Sequence, residues 1–529
     1  MRRLWYHGKV DTMVPGKDRQ EAIGLEDGTI VFVGSDRDAL ALPWDEKTDL
    51  DGRQVLPGFH DTHMHLLLYA LFQDSLPLAG VPSIQEMIRR GRDKLAQTGA
   101  SYLLGMGWNQ ETLAEERMPT RADLDQISRE VPVCLLRCCA HVAACNTPML
   151  ERLKTLTGVE ESVLEKVDFD QGLLREEAMR LYMQVVPPLS DEEVKALIRR
   201  GQADANAKGL TCVHSDDLQV LPGMDPVRLV RLFREMEQDG ELTLRVYEQC
   251  LLAPSDFERF LSVRSDPQDR ESLFRTGPRK LLQDGSLGAR TALLREGYQD
   301  DPDWKGMAIY TPSELEQLVE AAHTARMDVA VHVIGDGALE QLCQAVEAVQ
   351  ARDPWPQARH GAVHAQITDA ALLARMKALG LQAYIQPIFI EEDMGIITQR
   401  VGEKRARECY NWRSMLELGL AVSGGSDCPV EPFDVLDNLR AAVTRQDRVG
   451  ERTYLPEQAL SLEEGLSLFT SRAAWASRDE EVRGRLMPGM QGDLVILDGD
   501  LFAVSPQELP KVPVFETVLA GETVFAKKV

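Results

Sequence analysis

Long hydrophobic runs are missing from this sequence. No stretch of about 18 consecutive apolar residues occurs, so no membrane-spanning helix is expected. The opening residues, Met1-Arg2-Arg3-Leu4-Trp5-Tyr6-His7-Gly8, lack the apolar core of roughly 7–15 residues that marks a secretory signal. Aromatic residues are scarce at 6%, but 44% hydrophobic and 27% charged residues make an ordinary globular composition. That composition excludes a disordered, collagen-like or disulfide-scaffold chain. Positive charge is in deficit: 59 Lys and Arg stand against 84 Asp and Glu, a formal net charge of −25. Such a surface repels phosphate backbones and anionic lipid, so neither a nucleic acid nor a membrane is an expected partner. The nine cysteines show no CxxC spacing. Without a leader they read as reduced thiols of a cytoplasmic protein. Gly335-Asp336-Gly337 and Gly424-Gly425-Ser426 fall short of a dinucleotide or Walker loop, and no GxSxG elbow is present.

What is present is alternation. A chain of 529 residues predicts about three domains, or one large barrel with additions. The first 55 residues and the last 45 are β-rich and broken by turns such as Asp27-Gly28. The reading is therefore one small composite β-sandwich domain from both termini, residues 1–54 and 485–529. Between them, eight short apolar segments read as strands: Gln54–Phe59, Leu210–His214, Leu244–Cys250, Arg279–Gln283, Val329–Val333, Gly361–His364, Leu381–Gln386 and Leu420–Ser423. Helix-length segments separate most of them, which is the pattern of an α/β fold of the (β/α)8 TIM type. The barrel is assigned to 55–70 and 205–484. Residues 71–204 are too many for one connection and read as an inserted domain over the barrel mouth.

Histidines fall at informative places. His63 and His65 follow an apolar strand, and residues i and i+2 of an extended chain point to the same side. His332 ends the Val329–Val331 run, His364 ends Gly361–Val363, and Asp427 follows Ala421–Ser426. Barrel enzymes build their sites at the C-terminal ends of strands. Histidine with carboxylate suits zinc or a similar divalent ion.

These segments together resemble the amidohydrolase superfamily, and within it the family 3 branch to which N-substituted formamide deformylase belongs. The likeness runs through Pro57–His65, Leu210–His214, Lys280–Ala292, His332–Asp336, His364-Ala365-Gln366, Gln386-Pro387, Gly425–Val430 and Pro488–Leu494. It implies a hydrolase of a C–N bond other than a peptide bond, acting on a small amide-like substrate (N-formyl, N-acyl or cyclic amide) with metal-activated water. C–O hydrolysis, isomerisation and a non-catalytic binding role are the alternatives. The resemblance assigns His63 and His65 to one ion and His332 and His364 to a second. Asp427 is then ligand and proton carrier, and Lys280 a bridging ligand once carboxylated by CO2. Without that modification the site is mononuclear, or bridged by another carboxylate such as Glu176. One or two ions, zinc by preference, are expected, and oligomeric state stays open. His214 is expected to support the ligands and steady an oxyanion, with His60 packed behind the site. Trp108, His141 and Arg290 are the candidates for substrate binding. The segment before His141 reads Cys139-Ala140 where the family commonly has Asp-Gly.

Overall fold

The computed structural model describes residues 1–73, 75–138 and 142–528. Its centre is an eight-stranded parallel sheet. The strands are β1 (Phe59–Met64), β2 (Leu210–Ser215), β3 (Arg245–Leu251), β4 (Phe274–Leu282), β5 (Val329–Val333), β6 (Gly361–His364), β7 (Gln382–Ile385) and β8 (Ala421–Gly424). Each pairs with its sequence neighbour, so the order runs β1 to β8 without a crossover. These strands are buried along almost their whole length. Continuous apolar or small side chains are what a parallel sheet covered on both faces requires. Helices Pro312–Thr324, Asp336–Arg352 and Ala370–Leu379 link β4 through β7. The first is fixed by a Thr311/Glu314 capping box and the third by Asp369 at its N-cap.

The seam between β1 and β8 is joined by individual hydrogen bonds. Thr62 Oγ1 donates to the Gly424 carbonyl at 3.0 Å. Beyond the strand ends, Asp427 N donates to His63 O and His65 N to Cys428 O, each at 2.7 Å. Gly425 permits this closure, because a Cβ there would lie 2.5 Å from His63 N.

The first barrel strand departs from the sequence reading. Gln54–Pro57 is not part of the barrel; it pairs antiparallel with Leu494–Leu497 and parallel with Lys9–Val10. The barrel strand starts only at Phe59. The sequence runs on from one segment to the other with only Gly58 between them, so no local break separates them. The two chain ends thus share a five-stranded sheet with Val514–Leu519 and Glu522–Ala526. A four-stranded sheet of Arg2–Tyr6, Ala22–Glu26, Thr29–Gly34 and Glu46–Asp49 accompanies it. Trp5, Ile23, Leu25, Leu494, Ile496 and Val518 form the core of this region.

Leu66–Gly201 together with Leu218–Leu229 forms a second compact unit. Inside it a six-stranded sheet includes Leu103–Trp108, Val133–Arg137 and Val142–Cys145. Helix Ile84–Thr98 contributes Ile84, Met87 and Ile88 to the same core as Leu103 and Leu135. The return of Leu218–Leu229 to this unit carries no sequence signal that we can identify. Among the described residues no helix is long and apolar enough to cross a membrane, and eight cysteines are free.

Candidate metal centre

His63, His65 and Asp427 converge at the β1/β8 seam. One ligand atom from each lies within 4.8 Å of the others. Asp427 Oδ1 is 3.3 Å from His63 Nε2 and 3.2 Å from His65 Nε2. Two donors held about 2.0–2.1 Å from one zinc ion at a tetrahedral angle lie about 3.3–3.4 Å apart. The spacing therefore fits a single divalent ion.

The outer nitrogens fix which atoms face inward. His63 Nδ1 is 2.8 Å from Gln249 Oε1. The Gln249 amide nitrogen donates to Thr62 O at 3.0 Å, which sets its orientation. His65 Nδ1 is 2.9 Å from the Asp216 carbonyl. Both partners are acceptors, so each Nδ1 carries the proton and each Nε2 presents a lone pair. Burial and the charge of Lys280 push the His63 pKa down to about 4, keeping that ring neutral. Burial works the same way on His65, but the Asp427 hydrogen bond and the Asp216 charge outweigh it and push it up to about 9. Burial also disfavours the Asp427 anion, yet its bonds to His63 and His65 hold it well below the usual carboxylate range. In the metal-free protein a proton on His65 thus stands where a cation would.

Two residues of this region adopt unusual backbone. Asp427 has φ 60° and His364 φ 76°, both in the left-handed region. Such conformations cost on the order of 1–3 kcal/mol each and persist where the surroundings enforce them. The backbone bond from Asp427 N to His63 O does so for the first.

The other expected residues divide. Lys280 on β4 is buried, with Nζ 3.0 Å from His63 Nε2 and 3.8 Å from Asp216 Oδ2. Burial lowers its pKa. His364 Nε2 is 3.9 Å from Asp427 Oδ2, and neither ring nitrogen has a hydrogen-bond partner. His332 stacks edge-on to His364 at 4.5 Å, but its Nε2 faces the Gly285 carbonyl at 3.1 Å and Asp284 at 3.5 Å. The two rings therefore lie side by side, with His332 Nε2 turned toward Gly285 and Asp284. Glu176 belongs to the inserted unit.

Three further residues singled out by the sequence have other surroundings. His214 lies inside the barrel against Tyr247 and Tyr384, with ring centroids 5.1 and 6.4 Å away. No hydrogen bond joins it to Asp427 or any other group, and burial holds it neutral. Trp108 is a core residue of the inserted unit, fully buried, its indole N–H donating to Leu135 O at 2.8 Å. Arg290 is held by both oxygens of Asp300, at 3.3 and 2.8 Å, and Arg400 shares that carboxylate. His141 lies outside the described residues. His60 is buried near Arg483 and Arg245, and burial first and those charges second push it down to about 4.

Asp216, Gln249 and Asp61 were not singled out by the sequence. Asp61 Oδ1 accepts from His63 N and Ser426 N, each at 3.1 Å, and ties the two ligand-bearing loops together. Asp216 follows β2 directly, and that position was its one available signal.

The comparisons with known proteins agree with this geometry. The amidohydrolase family model matches residues 46–525. A putative amidohydrolase, YtcJ of Bacillus subtilis, is 30% identical over 548 residues, covering 100% of both chains. N-substituted formamide deformylase of Arthrobacter pascens is 25% identical, over 95% of this chain and 94% of that one. The crystal structure of an uncharacterized metal-dependent hydrolase from Pyrococcus horikoshii superposes with a TM-score of 0.80 at 28% identity, covering 96% and 99%. Full-length matches of this kind, on a parallel eight-stranded barrel with a His-His-Asp cluster at its seam, place the chain in the amidohydrolase family.

Proposed function

We propose that this protein hydrolyses a C–N bond of a small amide-like substrate, using one divalent ion held by His63, His65 and Asp427. The observation that carries the reading is the pair of Nε2 lone pairs facing one Asp427 oxygen at 3.2–3.3 Å. A zinc-like ion bound there would lower the pKa of water and polarise a carbonyl oxygen. Asp427 Oδ1 serves the histidine side, which leaves Oδ2, toward His364, for proton work. That carboxylate accepts the proton of the attacking water and returns it to the leaving nitrogen. His364, neutral by burial and without a partner, sits beside Oδ2 and orients the substrate carbonyl. The full-length similarity to N-substituted formamide deformylase supports an N-formyl or N-acyl compound as the first class to try.

Lys280 favours a second reading with two ions. Burial opposes its charged form, and the free amine is the form that combines with CO2. A carbamate on Nζ would supply the anion that two adjacent cations need between them. Elemental analysis of the zinc-loaded protein separates the readings: one ion per chain supports the first, two ions falling to one in Lys280→Ala support the second. A panel of N-formyl, N-acyl and cyclic amides, with matched esters and lactones, tests the bond type. Loaded protein that turns over only the esters and lactones overturns the C–N assignment, and protein that binds no metal overturns both readings.

A further inference from the structure

At the N-terminal end of β8, the end opposite Asp427, lies a cavity of about 970 Å3. Residues 11–17, Arg19, Gly419–Val422, Arg485, Phe502 and one side of the helices Leu462–Leu468 and Ser471–Ala476 line it. Binding pockets for organic molecules span roughly 300–1,000 Å3. The space is therefore sufficient for a whole small molecule.

Its wall is two-sided. Met13, Val14, Trp475 and Phe502 give an apolar face. The charged residues facing it are unevenly matched. Arg19 is occupied, with Asp11 at 2.8 Å and Asp500 at 2.7 Å. Glu464 is occupied by Arg413 at 2.9 Å and by the Ser461 N-cap. Arg472 and Arg485 have no such partner. Among the described residues neither forms an ion pair with a carboxylate. Arg472 Nε reaches only Ser467 Oγ at 3.2 Å, and Arg485 Nε is buried without any hydrogen bond. Lys17 adds a third cation at the rim, and Glu463 is the one lining acid not already described as paired. In a chain with 84 acidic residues and net charge −25, two guanidinium groups left to an apolar cavity call for an external anion. Burial weighs against the charge of Arg472, and a bound anion would offset that cost.

We propose that this cavity binds an organic anion, its carboxylate, sulfonate or phosphate head on Arg472 and Arg485 and its apolar body against Trp475, Phe502 and Met13. The site is separate from the metal centre and does not depend on the assigned reaction. The test uses the metal-loaded full chain and 8-anilinonaphthalene-1-sulfonate followed by fluorescence. The expected result is saturable binding of one probe per chain, displaced by dodecanoate but not by dodecylammonium. The double substitution Arg472→Met/Arg485→Met should weaken it at least tenfold, with metal content and thermal midpoint unchanged. Should that variant fail to fold, Val14→Trp, which fills the cavity from its edge, must produce the same loss. Non-saturable binding, equal displacement by the ammonium compound, or unchanged affinity in either folded variant overturns the proposal.

Discussion

The two ends of the one barrel treat buried charge in opposite ways. At the N-terminal end, three buried acids each meet a guanidinium. Arg245 grips Asp493 at 2.8 and 3.3 Å, Arg275 and Arg483 share Asp479 at 2.5 and 3.2 Å, and Arg478 holds Asp328 at 2.6 Å. At the C-terminal end acceptors face acceptors. Both His364 nitrogens and Asp216 Oδ1 lack partners, and two imidazole Nε2 atoms converge on one carboxylate oxygen. Unpaired buried polar atoms are costly, so those beside the candidate ligands call for an explanation. A cation on His63, His65 and Asp427 would supply part of it, because it would take the two Nε2 atoms and the carboxylate as ligands. The same barrel is stabilised at one end and kept incomplete at the other.

Substituting one carboxylate at each end tests this division. Asp427→Asn keeps a residue that tolerates φ 60°, so the fold should survive while turnover falls ~10²–10⁴-fold, the usual contribution of an acid–base group. Steady-state kinetics beside a denaturant titration would show it. Turnover close to wild type would remove Asp427 from the proton path. Asp493→Asn should do the reverse. It leaves Arg245 buried and uncompensated, a loss of about 3–5 kcal/mol of stability, while the folded fraction keeps its metal. A denaturation midpoint indistinguishable from wild type would mean the N-terminal network is not what stabilises the barrel.

A smaller effect is expected one layer out from the ligands. Gln249→Leu removes the acceptor that holds the His63 Nδ1 proton. Loss of such a support costs about 10–100-fold in metal affinity or activity. Chelator competition should detect it, alongside a stability loss of about 1–3 kcal/mol from the His63 N–H and Thr62 carbonyl left unpaired. Equal affinity in the two proteins would show that His63 needs no orientation from Gln249.

How far the sequence foretold this contrast depends on the residue. His63 and His65 declare themselves, because the i, i+2 spacing on an extended chain forces both rings to one side. Asp427 was visible from its place after an apolar strand, a position that recurs at strand ends of barrels. The division of Gln54–Met64 into a terminal strand and a barrel strand was not visible. Only Gly58 separates the halves, and their partners, Leu494–Leu497 and β2, distinguish them. Trp108 misled for a related reason: an aromatic residue reads alike whether it lines a pocket or fills a core, and burial alone decides. Arg290 was equally ambiguous until Asp300, ten residues on, proved to be its partner. Gln249 and the Arg245–Asp493 pair depend on contacts across 186 and 248 residues. No local pattern encodes those contacts.

The mildest prediction concerns protons. In the metal-free protein His65 is pushed up to about 9, because Asp427 and Asp216 together outweigh burial. An ion binds the deprotonated ring, so below about pH 9 binding must expel that proton. Apparent affinity should then rise with pH, by up to about tenfold per unit, between roughly pH 6 and 9. Stability of the metal-free fold should move the other way. A pKa raised above the unfolded value near 6.5 gives a contribution present in full below that value and lost as pH climbs through about 9. Asp427→Asn removes the carboxylate charge and leaves only an amide oxygen and the Asp216 charge to favour the proton, so the upward bend in affinity should shift to lower pH. Chelator competition and denaturant titrations across that range read both curves. Affinity independent of pH in the wild type would mean that no proton occupies the ligand set, and the metal-free centre would then hold Asp427 by some other group.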